Sequence, residues 1–156
     1  KVGHDAASIL RTAHSMMGIP YMWGGTSPKG VDCSGFVRTV LYLHDIIIPR
    51  NASQQAKVGK RIQPQDDYAD LQPGDLLFFG SKNQDGSPKR VVHVGISLGG
   101  CRFIHSLGYV HTGSFNPLDA DYDEYERNRF LFAARILPYV NQDTQILTTD
   151  NISLYQ

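Results

Sequence analysis

At 156 residues, with 41% hydrophobic and 19% charged side chains, the chain suits a single domain with a buried core, neither disordered nor membrane-spanning. Fifteen basic and fifteen acidic residues cancel, so no overall field favours nucleic acid or an anionic membrane. Two cysteines exclude a disulfide-dense scaffold, and no apolar run reaches the roughly 20 residues of a spanning helix. The opening KVGHDAAS has neither an initiator Met nor an apolar leader, as expected of a processed or excised domain.

The first predicted element is a helix over Asp5–Met17. Ile9, Leu10, Ala13, Met16 and Met17 recur at helical spacing, and Gly18 and Pro20 stop it. YMWGGTSPKGVD, residues 21–32, is glycine-rich and reads as a loop. From Cys33 the pattern is helical again to about His44, with Phe36, Val37, Val40 and Leu41 on one face and Asp32 or Ser34 as N-cap. Ile46–Ile48 reads as a short extended run, and Asn51 or Ser53 as the cap of a short helix reaching Val58. Pro73-Gly74 suits the centre of a type II turn before a buried strand at Leu76–Phe79. Gly80–Arg90 reads as an exposed loop, followed by strands at Val91–Leu98 and Arg102–Ser106 and a last one at Phe130–Leu137. Residues 138–156 read as a weakly structured tail. Helices gather early and strands late, which implies an α+β fold with an antiparallel sheet.

The chemistry begins with Cys33. In the first turn of a helix, a thiol meets unpaired N–H groups and the positive end of the dipole, both of which favour thiolate. Gly24, Gly25 and Gly30 would let a substrate backbone approach. A cysteine nucleophile needs an imidazole, and six histidines are available. A turn centred on Gly99 sets His93 opposite His105, on one face of a hairpin; a Gly-Gly turn pairs His93 with Ser106 instead. In the first register His93 serves the thiol while His105 fixes its tautomer. His4, His14, His44 and His111 carry no such signal, and His111 is assigned to a glycine-rich loop. Cys101 reads as a packing residue on the side of His105, with a bridge to Cys33 as the lesser alternative.

YMWGG, DCSGFV, LQPGDLLFF, HVGISLGG and RFIHS, in that order, resemble the NlpC-type family of bacterial cell-wall cysteine peptidases, from Ala6 to about Leu137. The resemblance implies a papain-like α+β fold with N-terminal helices packed on a central antiparallel sheet. Residues 1–137 form the catalytic domain and residues 138–156 a C-terminal tail. It implies hydrolysis of peptidoglycan stem peptides or muropeptides at the γ-D-glutamyl–diamino acid bond by a Cys-His-His triad. Cys33 would be nucleophile, His93 general base, His105 its orienting partner, and Tyr21 an oxyanion donor beside the Cys33 N–H. Asp32 and Ser34 match the branch acting on L-Ala-γ-D-Glu-diamino acid peptides, in which the acid meets the free α-amine. Ser53 and Trp23 are the remaining substrate-binding candidates. No metal or organic cofactor is required. The expected setting is the bacterial envelope, periplasmic or secreted, with cytoplasmic recycling as the other role. A monomer is expected, with no nucleic-acid partner and with upstream wall-binding domains outside this chain.

Three other readings compete. Cys33, His93 and His105 are possible zinc ligands, although their spacing matches no compact zinc motif. The chain could be a wall-binding module without catalysis, or a thiol amidase or acyltransferase of related fold.

Overall fold

The computed structural model describes residues 4–20, 26–27 and 30–152. The first helix, α1 (Ala6–Ser15), is capped by the Asp5 carboxylate, which accepts the Ser8 N–H at 3.0 Å, and it buries Ile9 and Ala13. Within the glycine-rich segment a short antiparallel ribbon, β1 (Thr26–Ser27) and β2 (Gly30–Val31), leads directly into α2 (Cys33–Tyr42). Asp32 is the N-cap of α2, and Phe36, Val37, Val40 and Leu41 are its buried face. A single turn, α3 (Ala52–Gln55), follows Asn51.

The rest of the described chain is dominated by a six-stranded antiparallel sheet. Its strands are β3 (Lys60–Ile62), β4 (Leu76–Lys82), β5 (Pro88–Gly99), β6 (Arg102–Leu107), β7 (Tyr109–Ser114) and β8 (Phe130–Arg135), in the order β3-β8-β4-β5-β6-β7. Strand alternation divides the core. Leu76, Phe78, Val94, Ile96, Ile104 and Phe132 join the apolar faces of α1 and α2. Leu77, Phe79, Phe103, Phe115 and Phe130 form a second cluster on the other face. A further helix, α4 (Glu124–Arg129), lies against β4 and leads into β8. This is the α+β class expected, with a helical layer on one face of an antiparallel sheet.

Several local expectations change. The type II turn is present, with Gly74 at φ 92° and Asp75 N–H bonded to Gln72 O, but the supposed loop 80–90 is mostly hairpin. β4 and β5 keep pairing to Lys82↔Pro88. That extension lies beyond the core, so it shows no hydrophobic alternation and its backbone hydrogen bonds alone carry it. β7 occupies a stretch expected to be loop, and α4 and β3 carried no sequence signal. The segment after β8 folds back: Leu147 bridges Ile47, Ile146 is buried, and α5 (Thr149–Ile152) follows.

One irregularity positions the site. Phe79 pairs with His93 but Gly80 pairs with Val91, so Val92 is an extra residue bulged out of β5. Gly80 permits this because a Cβ there would stand 1.8 Å from the Arg90 carbonyl oxygen. Gly80→Ala should therefore cost about 3 kcal/mol, read as a lower urea midpoint with unchanged slope.

Candidate active site

Cys33 is the first residue of α2, immediately after the capping carboxylate of Asp32, which accepts the Gly35 N–H at 2.6 Å. The sulfur rests against the His93–Val94 peptide of β5, where the Val94 N–H, with that of Ser34, favours thiolate. Burial nevertheless dominates: it pushes the Cys33 thiol above its ordinary value, and the neighbouring Asp32 carboxylate adds to the rise. The expectation of a depressed thiol is thus reversed in the resting protein. The helix start and the Val94 amide moderate the rise without overturning it.

His93 and His105 meet, though not in either expected register. Gly100 and Cys101 form the turn, Gly99 pairs with Arg102, and His105 lies opposite Gly95 rather than His93. Positive φ at both Gly99 and Gly100, with an irregularity between Ser97 and Gly99, moves the turn towards Cys101. Because His93 and Gly95 share a face, the pair survives as a diagonal contact, with His93 Nε2 2.7 Å from His105 Nδ1. Gly95 makes this possible, since a Cβ there would lie 3.1 Å from the Cβ of His105. Burial lowers His93 well below its usual range and takes His105 down to about 3, so both rings are neutral.

The relay continues to a third ring that sequence reasoning passed over. His105 pairs directly with His111 on β7, with the two Nε2 atoms 3.2 Å apart, and His111 Nδ1 lies 2.8 Å from the Tyr109 carbonyl. A carbonyl only accepts, so His111 donates from Nδ1, and with its Nε2 accepting from His105 the tautomers follow in sequence. His105 donates from Nε2 to His111, and His93 donates from Nε2 to His105. His93 is left with its lone pair on Nδ1, the ring nitrogen nearer its own main chain and therefore nearer the peptide that holds the thiol. The hydrogen bonds of the described residues include none between the Cys33 thiol and the His93 ring. Such contacts commonly tighten only when substrate is bound. His111 was legible: a turn centred on Gly108 sets it opposite His105, with Val110 and Thr112 alternating around it.

Beneath the histidines lies Glu126 of α4, with no exposed surface. Its Oε2 has no hydrogen-bond partner and stands 3.4 Å from His93 Nε2. Its other oxygen accepts from Arg129 Nε. Burial raises Glu126 from an ordinary 4.5 to about 7. Sequence gave no hint, since Glu126 sits in a charged run that reads as a solvated helix.

A cleft of about 650 Å³ opens over the thiol and is lined by Asp32, Cys33, Ser34, Arg50, Ser53 and Arg90. Asp32 is already engaged there: Arg50 Nη2 donates to its carboxylate at 2.9 Å, and Arg50 Nη1 donates to the Ser34 hydroxyl at 2.9 Å. Tyr21 and Trp23 lie outside the described residues. The zinc alternative needs Cys33, His93 and His105 on one ion. Among the described residues, the ligand atoms that gather with those of His93 and His105 are those of Glu126 rather than the Cys33 sulfur, and the two rings hydrogen-bond each other at 2.7 Å. Cys101 is free, as is Cys33, and packs beside the Phe115 cluster on the face of His105.

The chain is similar in sequence and fold to known proteins. Over 101 residues the chain is 42% identical to the gamma-D-glutamyl-L-lysine dipeptidyl-peptidase of Bacillus subtilis (strain 168), covering 65% of this chain and 32% of that protein. The chain spans about a third of the length of the first such relatives. The crystal structure of an NlpC/P60 family protein from Bacillus cereus ATCC 10987 superposes with a TM-score of 0.72 at 31% identity, over 86% of this chain and 41% of that one. The NlpC/p60 domain of the peptidoglycan hydrolase SagA gives 0.66 at 32%, over 85% and 99%. With residues 18–130 matching the model of the NlpC/P60 family, the chain belongs to that family of cysteine peptidases.

Proposed function

We propose that the chain is a cysteine endopeptidase that cleaves peptidoglycan stem peptides at the γ-D-glutamyl–diamino acid bond. The observation that carries this reading is the Cys33 thiol at the start of α2, seated on the His93–Val94 peptide with the His93–His105 pair behind it. The thiol proton passes to His93 Nδ1, and the sulfur attacks the γ-D-glutamyl carbonyl. The Cys33 N–H at the helix start stabilises the oxyanion, with Tyr21 as the second donor. His93 then returns its proton to the departing amine of the diamino acid, and water releases the acyl-enzyme. The name of the B. subtilis relative supports this choice of bond, and the family supports an envelope setting. No helix among the described residues is long and apolar enough to cross a membrane.

Mass spectrometry of defined peptides tests the bond. L-Ala-γ-D-Glu-L-Lys and its meso-diaminopimelate counterpart should release L-Ala-γ-D-Glu, whereas the α-linked D-Glu isomer should stay intact. Cleavage at another bond, or none, overturns the assignment.

The role of Asp32 is more specific. Its ion pair with Arg50 leaves a carboxylate edge and a guanidinium edge side by side in the cleft, matching the ammonium and α-carboxylate of an N-terminal L-Ala-γ-D-Glu unit. Asp32→Asn keeps an oxygen to cap α2 but loses the charge. Its KM for free-amine peptides should rise about tenfold, while N-acetylated peptides should respond equally poorly to both proteins.

A further inference from the structure

Accepting the thiol proton makes His93 an imidazolium in a place hostile to positive charge. It is 3% exposed and flanked by the neutral His105 ring, and Arg129 and His111 disfavour a charge there. On its own strand and those beside it, its ring neighbours are Phe79 of β4 and His105 of β6. From α4 come Glu126, Arg129 and Asp123. The Asp123 carboxylate stands 3.9 Å from His105 Nε2, and its other oxygen caps α4 by accepting the Glu126 N–H at 3.0 Å. Among the described residues, the only carboxylate within ion-pair distance of His93 is Glu126. Its unpartnered Oε2 faces the His93 Nε2–H that also bonds His105.

Building on the hydrolase reading, we propose that Glu126 is a positioning residue: as a carboxylate it accepts from His93 Nε2, holds the lone pair on Nδ1 towards Cys33, and balances the imidazolium. No proton need reach Glu126 during the reaction. The thiol proton moves to Nδ1, while the Nε2 proton stays shared between His105 Nδ1 and Glu126 Oε2. When Glu126 is itself protonated the counter-charge is gone, so taking the thiol proton leaves an uncompensated buried imidazolium and Nδ1 is a poor base. The acid therefore acts as a pH gate on the catalytic pair, opening as it ionises around pH 7.

The test reads the thiol directly, without any peptide. Iodoacetamide alkylation of Cys33, followed by intact mass from pH 5 to 9, should show a steep limb below about 7 in the wild-type protein, where Glu126 and the thiol both ionise, and a rise of about tenfold per pH unit above it as the raised thiol alone ionises. In Glu126→Gln the steep limb should collapse to the slope of the thiol alone, with alkylation at pH 8 at least tenfold slower. On cleavable peptides kcat should fall 10- to 100-fold with KM little changed. Stability moves the other way. Because the folded state holds the Glu126 proton more tightly than the unfolded chain, this contribution is present below about 4.5 and is lost as pH rises through about 7. Glu126→Gln should thus melt no lower than wild type at pH 5 and higher at pH 8, separating slow chemistry from poor folding. Arg129→Gln is an independent handle. Arg129 holds the Glu126 value down, so its loss should displace the limb to higher pH. An unchanged alkylation profile in either variant overturns the proposal. A wild-type protein that shows the limb but cleaves no stem peptide would defeat the hydrolase reading while leaving the Glu126–His93 coupling in place.

Discussion

Cys33→Ser should lower turnover of L-Ala-γ-D-Glu-diamino acid peptides by about 10³- to 10⁵-fold while leaving the melting temperature within a degree or two of wild type. The substitution keeps the size of the side chain, the cap by Asp32 and the contact with β5, so packing is not the cause of the loss. What changes, in the proposed mechanism, is the proton that His93 removes. Burial already depresses the basicity of His93, and a hydroxyl is far harder to ionise than a thiol, even one raised by burial. Stopped assays at matched folding, checked by circular dichroism, would read the effect. A residual rate within tenfold of wild type would mean that another group attacks the carbonyl.

A large effect on stability is also expected away from the cleft, at Asp75. This carboxylate is 2% exposed and follows the Pro73-Gly74 turn at the head of β4. It accepts from Arg135 Nε at 3.0 Å and Nη2 at 2.9 Å, and from the Gln72 N–H at 2.9 Å. Arg135 ends β8, so one ion pair ties the turn to the neighbouring strand, and the same guanidinium reaches the Asp70 carbonyl. Asp75→Ala leaves that partly buried cation and the turn amide without their acceptor. A loss of about 3 kcal/mol follows, roughly 6–12 °C in melting temperature, with kcat unchanged below the transition. Thermal unfolding and steady-state assays on the same preparation would check both halves.

How far the sequence reaches can be judged from particular residues. Asp32 and Cys33 were legible because a capping acid before an apolar helical stripe is a local signal, and local physics decides a helix start. The His93–His105 contact was legible as a shared face but not as a register, because the turn depends on two glycines with positive φ that single-residue reasoning cannot apportion. His111 was within reach by the same hairpin arithmetic, applied at Gly108 instead of Gly99. Glu126 was out of reach. Its burial depends on how α4 settles against β4 and brings it to His93 and His105, a tertiary fact, and most of its sequence neighbours are polar. The charge state of Cys33 was misjudged for a related reason: the helix start is a local effect, whereas desolvation belongs to the assembled fold.

In the proposed reaction Cys33 carries the γ-D-glutamyl group, and trapping that species is the most direct test. Wild-type protein mixed with L-Ala-γ-D-Glu-L-Lys and quenched in acid within milliseconds should show an added L-Ala-γ-D-glutamyl mass, located to Cys33 by peptide sequencing. The adduct should be absent from Cys33→Ala. Hydrolysis that proceeds without any adduct, or an adduct on another residue, would contradict the account.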